Sequence, residues 1–226
     1  MPVGVAPGEV ARVLRDVARI GPYFEICTVG VDGVGWRPFV GDVASLRALT
    51  EDYAKRLGVG ESRVAGSLVF QGLAARLWSP VVAAAAVGVV PDLGPLRWRW
   101  APGEPIRLGL AEPAGWHAGS LAEAAVRVHG VVVDGQLRPL RKAMASVVKL
   151  ADGLVWGNAA SALAGSLNVG PAGGGRAALV RALLAREPLA GAGSFGADGF
   201  VRNNCCLYYR VPGGGMCGDC GLLTGS

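Results

Sequence analysis

The chain has 226 residues, 51% of them hydrophobic and only 17% charged, with a net charge of +5. That length supports one sizeable core, and the composition excludes a disordered tail or a coiled coil. Lysine occurs only at positions 55, 142 and 149, and no basic run is interleaved with aromatics. The charge balance permits anionic partners without marking a nucleic-acid-binding protein.

Val10, Val13, Leu14 and Val17 recur at helical spacing, and Gly21-Pro22 ends that helix. The N-terminus has no basic segment followed by a long apolar run, so no signal peptide is expected. Tyr23 to Val29 reads as a strand, with Cys27 as a buried core residue. Asp42 caps a second helix with Val43, Leu46, Leu49, Tyr53 and Leu57 on its inner edge and Gly58 at its end. A third helix is expected from Ser62 to about Trp78, where Ser79-Pro80 should break it. The apolar run Val81 to Val90 is ten residues long. A membrane-spanning helix needs about 20, so the run reads as core.

Leu96, Trp98 and Trp100 alternate with Arg97 and Arg99; after APGEP, Ile106, Leu108 and Leu110 alternate with Arg107. This is a hairpin with one apolar face and one arginine face. Ser120 and Glu123 form a capping box, with Leu121, Ala124, Ala125 and Val128 directed inward. Asp134-Gly135 reads as a turn, and Pro139 as the first turn of a helix. Leu140, Ala143, Met144, Val147, Val148 and Ala151 form its apolar stripe, with Arg138, Arg141, Lys142 and Lys149 largely off it. A helix from Trp156 to Leu167 carries Gly157, Ser161 and Gly165 four apart, a spacing that admits close backbone approach. A last helix runs from about Arg176 to Arg186 and ends near Pro188. From Leu189 the sequence reads as loop. The match of Gly191 to Gly196 to GxGxxG follows a Pro-terminated helix rather than a strand, which excludes a nicotinamide site there. His117 and His129 lack ligand-like neighbours and take ordinary structural roles. The expected fold is α+β, a mostly helical single domain with a small antiparallel sheet. Residues 1–200 form the body and residues 201–226 a C-terminal segment.

Four of the five cysteines fall in that segment, as Cys205-Cys206, ten residues, Cys217, two residues, Cys220. A disulfide framework would spread its cysteines to close long loops, so a terminal group of four reads as a metal site. Four thiolates suit either a structural zinc or an iron–sulfur cluster. Adjacent side chains diverge in most backbone conformations, so Cys205 and Cys206 are awkward on one tetrahedral ion. A cluster with two irons spreads its ligand positions and takes an adjacent pair more easily. Arg202 and Arg210 flank the first pair, and positive charge there would favour the reduced cluster. The N–H groups of Gly213 to Gly215 and Gly218 could reach sulfur or serve only as turns.

The tail CCLYYRVPGGGMCGDC resembles the 2Fe–2S signature of the FhuF-type ferric-siderophore reductases over about its last twenty residues. The stretch LVWGNAASALAGSL, with Trp156 and Asn158, is similar to the region preceding that motif. The resemblance implies a 2Fe-2S cluster on Cys205, Cys206, Cys217 and Cys220. It implies reduction of ferric-siderophore in the cytoplasm, in some members beside the inner membrane. With no flavin or nicotinamide motif, electrons are expected from an external ferredoxin-like or reductase partner. Candidate chelate-binding residues are Arg97, Arg99 and Arg107 on the hairpin and Arg138, Arg141 and Lys142 on the helix; the solvated faces of a sheet and a helix would look the same. Arg202 and Arg210 are candidates for tuning the cluster. Two other readings stand beside this one: a zinc-stabilised binding module with no catalysis, and an iron–sulfur electron carrier or sensor with no chelate site.

Overall fold

The computed structural model describes residues 4–170 and 173–223, and it is built around one long helix, α3. The first helix, α1 (Pro7–Ala18), buries Val10, Val13, Leu14 and Val17 as the spacing predicts. The second, α2 (Val43–Leu57), is capped by the Asp42 carboxylate, which accepts from the Ser45 N–H at 3.0 Å; Gly58 ends it in the left-handed conformation. Leu46, Leu49 and Thr50 are its fully buried positions, while Val43, Tyr53 and Leu57 are half-buried.

Helix α3 (Ser62–Ala86) runs straight through Pro80 instead of ending before it. Proline removes one helical hydrogen bond and costs about 3 kcal/mol in a helix interior. Burial outweighs that cost here, because every residue from Leu77 to Ala85 is buried. By length and composition α3 could cross a membrane, yet 72% of its most apolar window is buried inside the fold. It forms the spine of the core and packs on α1, on α2 and on the later helices.

The predicted hairpin is present as β3 (Arg97–Arg99) and β4 (Arg107–Gly109), with Trp98 opposite Leu108 and Arg99 opposite Arg107. The short strand β1 (Arg37–Pro38), unforeseen in the sequence, completes this sheet in the order β1-β3-β4. Strand β2 (Val89–Pro91) pairs antiparallel with β5 (Gly115–His117). The expected strand from Tyr23 to Val29 is absent. Pro22–Phe24 form a 3₁₀ turn, and the chain touches the sheet only at Cys27, through a bridge to Gly109. Cys27 is half-buried rather than core, and its thiol faces the Glu25 carboxylate at 3.6 Å. Burial, and then that carboxylate, push the Cys27 thiol up.

Helix α4 (Leu121–Val128) starts at the predicted cap, where Ser120 Oγ accepts from the Glu123 N–H at 3.2 Å. Leu121 is exposed, so the inward face is Ala124, Ala125 and Val128. No turn forms at Asp134-Gly135: His129–Leu137 continue the helix as a π-helical stretch into α5 (Arg138–Ala145). Buried Val132, Val133, Gln136 and Leu137 hold that stretch against the core, and Gln136 donates to the Leu93 carbonyl at 2.7 Å. Because α5 ends at Ala145, Val147, Val148 and Ala151 lie beyond its stripe. Helix α6 (Asp152–Gly165) packs along α3, and α7 (Gly174–Leu184) closes the helical body. The expected loop after Leu189 contains a hairpin, β6 (Gly193–Gly196) with β7 (Gly199–Arg202). Gly191 to Gly196 thus lead into and form a strand. Strand β7 crosses the boundary drawn at residue 200 and delivers the chain into the cysteine segment.

Candidate metal centre

The cysteine segment lies over the α3–α6 interface. Small residues on α6 let it approach: a Cβ on Gly157 would sit 3.1 Å from Asn204 Cβ, and one on Gly153 would sit 2.9 Å from Asn204 Oδ1. The segment is then held by hydrogen bonds to buried side chains of the body. Ser67 Oγ on α3 donates to the Cys206 carbonyl at 2.7 Å. Asn158 Nδ2 on α6 donates to Ser67 Oγ at 2.8 Å and to the Ser67 carbonyl at 3.0 Å. Asn203 donates through its backbone to the Ala192 carbonyl and through its side chain to the Gly191 carbonyl, both at 2.8 Å.

All four thiols of the segment are free; Cys206 and Cys220 are buried, Cys205 and Cys217 half-buried. Leu207, directly after the adjacent pair, has φ 69°, the left-handed region that a branched residue rarely enters. The chain turns there, and the Leu207 N–H donates to Cys205 Sγ, 3.3 Å away. The sulfur-directed donor is therefore Leu207, which the sequence did not single out. Gly214 spends its N–H on the Val211 carbonyl at 2.8 Å. The second pair is closed by a turn in which the Cys220 N–H donates to the Cys217 carbonyl at 3.1 Å.

The sulfur positions test the fit to a cluster. Cys206 Sγ and Cys217 Sγ are 3.6 Å apart. Two thiolates bound at about 2.3 Å to one tetrahedral metal lie about 3.8 Å apart, so this pair has the spacing of ligands on a shared metal. Among the described residues, no three His, Cys, Asp or Glu side chains converge on a single ion. A mononuclear site needs four at one centre, whereas a two-iron cluster takes its thiolates in two separated pairs. Four free thiols, two of them at ligand spacing, fit the donor set of a 2Fe-2S cluster. Burial, followed by the neighbouring Cys206, pushes the Cys217 thiol well up, while the Arg202 charge opposes that push.

A cavity of about 620 Å³ opens beside this pair, and both Cys206 and Cys217 line it. Tyr23, Phe24, Phe195, Phe200 and Tyr208 are its aromatic lining, and Gln71, Ser161 and Asp219 are among its polar lining. None of Arg97, Arg99, Arg107, Arg138, Arg141 and Lys142 lines it. The first three lie on the sheet of β1, β3 and β4, where Arg99 stacks on Trp36 at 5.9 Å. Arg138 pairs with Asp134 at 2.9 Å and stacks on Trp156, and Arg141 pairs with Asp152. Arg99, Arg138 and Arg141 are thus engaged in local contacts away from the thiols.

The two tuning candidates part company. Arg202 is not a solvated flank: its side chain is 0% exposed and forks onto Asp219. Arg210 is on the surface. It donates to Glu61 at 2.7 Å and to the Tyr209 hydroxyl at 3.0 Å. Those bonds, Tyr209 first and then Glu61, hold its guanidinium firmly charged, while the bond from Arg210 pulls the Glu61 carboxyl below its usual value.

No curated protein matches the sequence. Residues 202–221 match the family model described as the FhuF 2Fe-2S C-terminal domain, which covers all four cysteines. The chain therefore carries a FhuF-type 2Fe-2S domain at its C-terminus and is an iron–sulfur, siderophore-related protein.

Proposed function

We propose that the chain is a cytoplasmic ferric-siderophore reductase in which Cys205, Cys206, Cys217 and Cys220 hold the cluster. The supporting observation is that Cys206 and Cys217, 3.6 Å apart, line the same cavity as five aromatic side chains. A 2Fe-2S cluster, when bound, supplies one electron at a time. The residues around it bind the chelate, exclude water and shorten the path to its iron. The chelated Fe(III) gains one electron and becomes Fe(II), whose lower charge weakens its hold on anionic hard-oxygen ligands. No acid, base or nucleophile is needed for that step. The body of residues 1–200 acts as the chelate platform, and an external ferredoxin-like or reductase protein restores the electron. The cavity lining includes Asp198 and Asp219 but no lysine or arginine, which favours a chelate of low net charge over a polyanionic tris-catecholate.

The test is anaerobic purification followed by iron, zinc and acid-labile sulfide analysis, then single-turnover mixing. The dithionite-reduced protein, freed of excess reductant, is mixed with ferric hydroxamate and ferric catecholate chelates, and a ferrous-specific chelator captures Fe(II). Two irons and two sulfides per chain with about one Fe(II) released per cluster support the reading. A colourless zinc protein, or a reduced cluster that no ferric chelate oxidises, refutes it.

A further inference from the structure

Arg202 is the first residue of the matched segment and one of the largest fully buried side chains in the protein. A buried guanidinium costs several kcal/mol unless every donor is matched. Here its Nε and Nη2 fork onto the two Asp219 carboxylate oxygens, each at 3.0 Å. Nη1 donates to Asn158 Oδ1 at 2.8 Å, and Nη2 also donates to Ser161 Oγ. The Arg202 backbone N–H adds a bond to the Asp219 carbonyl at 3.0 Å. These partners lead to three different places. Asp219 sits between Cys217 and Cys220 in the chain. Asn158 reaches the Cys206 carbonyl through Ser67. Ser161 lines the cavity and accepts a second bond, at 3.1 Å, from Gln71, which lines it too. One side chain thus joins both cysteine pairs to the cavity lining.

We propose that Arg202 is the positioning residue of this centre and links occupancy of the cavity to the potential of the cluster; the cavity link rests on the siderophore reading above. A 2Fe-2S cluster on four thiolates goes from −2 to −3 on reduction, so a buried positive charge beside it favours the reduced form. Asp219 offsets part of that charge while holding the cysteine turn in place. A ligand that engages the lining residues Gln71 and Ser161 changes what Arg202 is bonded to. By linkage, the factor by which a ligand changes the electron affinity equals the factor by which reduction changes the ligand's affinity.

The test is the midpoint potential of the cluster-loaded protein, measured by mediated titration with and without gallium(III) chelates, which bind as the iron complexes do but accept no electron. The gallium complexes of one hydroxamate and one catecholate chelator serve as probes, with binding read from tryptophan fluorescence. Arg202→Gln lowers the cluster's electron affinity tenfold or more, about 59 mV for a one-electron couple, and Asp219→Asn raises it. Arg202→Lys keeps the charge without the fork; it leaves the affinity within about threefold of wild type but sheds iron faster. A purely structural role would move all three variants in the same direction, and that result overturns the proposal. If Arg202→Gln does not retain a cluster, Asp219→Asn and Arg202→Lys still decide it. For the cavity link, Ser161→Ala keeps the Arg202–Asp219 fork, and the gallium-induced shift seen in wild type is at least halved. Gallium binding with no shift, or a full shift in Ser161→Ala, overturns the link. If neither gallium probe binds, the siderophore reading falls with the link, and the ligand-free potentials still decide the positioning role.

Discussion

Ser67 is the point at which the longest helix of the body grips the cysteine segment, 139 residues away in sequence. Its hydroxyl donates to the Cys206 carbonyl and accepts from Asn158 Nδ2; Ser67 and Asn158 are 0% exposed and Cys206 2%. Ser67→Ala removes the hydroxyl and leaves nothing to replace it. The Cys206 carbonyl loses a buried donor outright, at about 1–3 kcal/mol. Asn158 loses one of two acceptors and keeps the Ser67 carbonyl, so its loss is the smaller. The expected total is about 2–4 kcal/mol, a roughly 30- to 700-fold fall in the folding equilibrium. Urea unfolding of the reduced, metal-free protein, followed by tryptophan fluorescence, measures it. In the loaded protein the same variant loses its visible absorbance faster under a chelator. Thr50→Val is the control. Thr50 is equally buried, but its hydroxyl donates only to the Leu46 carbonyl one turn back in α2, so about 1 kcal/mol or less is expected. A Ser67→Ala cost below about 0.5 kcal/mol, within the range of surface substitutions, would refute the bridging role. So would equal costs for the two variants.

Gly109→Ala puts a Cβ 2.9 Å from two Trp36 ring atoms and from Val31 Cγ2, so thermal unfolding should report a loss of about 1–3 kcal/mol. An unchanged midpoint would mean that Trp36 does not rest on the sheet. The Glu61–Arg210 pair contributes to stability above the ordinary carboxylate value of 4.5, and that contribution is lost as pH falls through the lower value Glu61 has in the fold. Acid titrations of wild type and Glu61→Gln should therefore differ slightly at neutral pH and converge at low pH; curves that diverge on acidification would contradict the pairing. Phe195→Ala removes an aromatic wall of the cavity and should weaken binding of a gallium chelate at least fivefold, whereas the pair Arg97→Gln and Arg107→Gln should leave it within twofold. Fluorescence titration separates the two, and the opposite ranking would return the chelate to the sheet.

The cysteine spacing was legible in the sequence because ligand chemistry demands residue types at fixed intervals. Local signals were legible for the same kind of reason. Asp42 caps α2 and Ser120 caps α4 through bonds that span only three residues. The alternation around Trp98 and Leu108 likewise reports a hairpin whose partners are near in sequence. Pro80 was misleading because its local cost is outweighed by burial on all sides, a tertiary quantity. Asp134-Gly135 has turn chemistry, yet buried neighbours on either side hold it helical. The burial of a basic side chain is harder to read: the sequence marks Arg202 and Arg210 alike as candidates beside the cysteines, yet only Arg202 is buried. Only the packing of β7 against α6 puts Asn158 and Ser161 where they can satisfy the Arg202 guanidinium. The cavity is equally nonlocal, since its walls come from segments as far apart as Tyr23 and Asp219.

The surplus of chain before the cysteines has a physical reason. Between Arg202 and Leu222, only Arg202, Cys206, Val211 and Cys220 are buried. One of these four is a charge and two are thiols, so the segment has almost no apolar area with which to offset the entropy of its own ordering. It cannot supply a dry environment for Arg202 either, because two of that side chain's three hydrogen-bond partners, Asn158 and Ser161, belong to α6. The body provides both. Helices α3 and α6 bury their shared face, then use Ser67, Asn158 and Ser161 to fix the position of a loop that could not fix itself. The same face ends at the cavity, so the element that orders the thiols also forms the wall against which a ligand would rest. Cys206 and Cys217 line that cavity. Met216, 49% exposed, brings its sulfur to 3.7 Å from Cys220 Sγ. The size of the body follows from having to bury Arg202 and order the thiols at once.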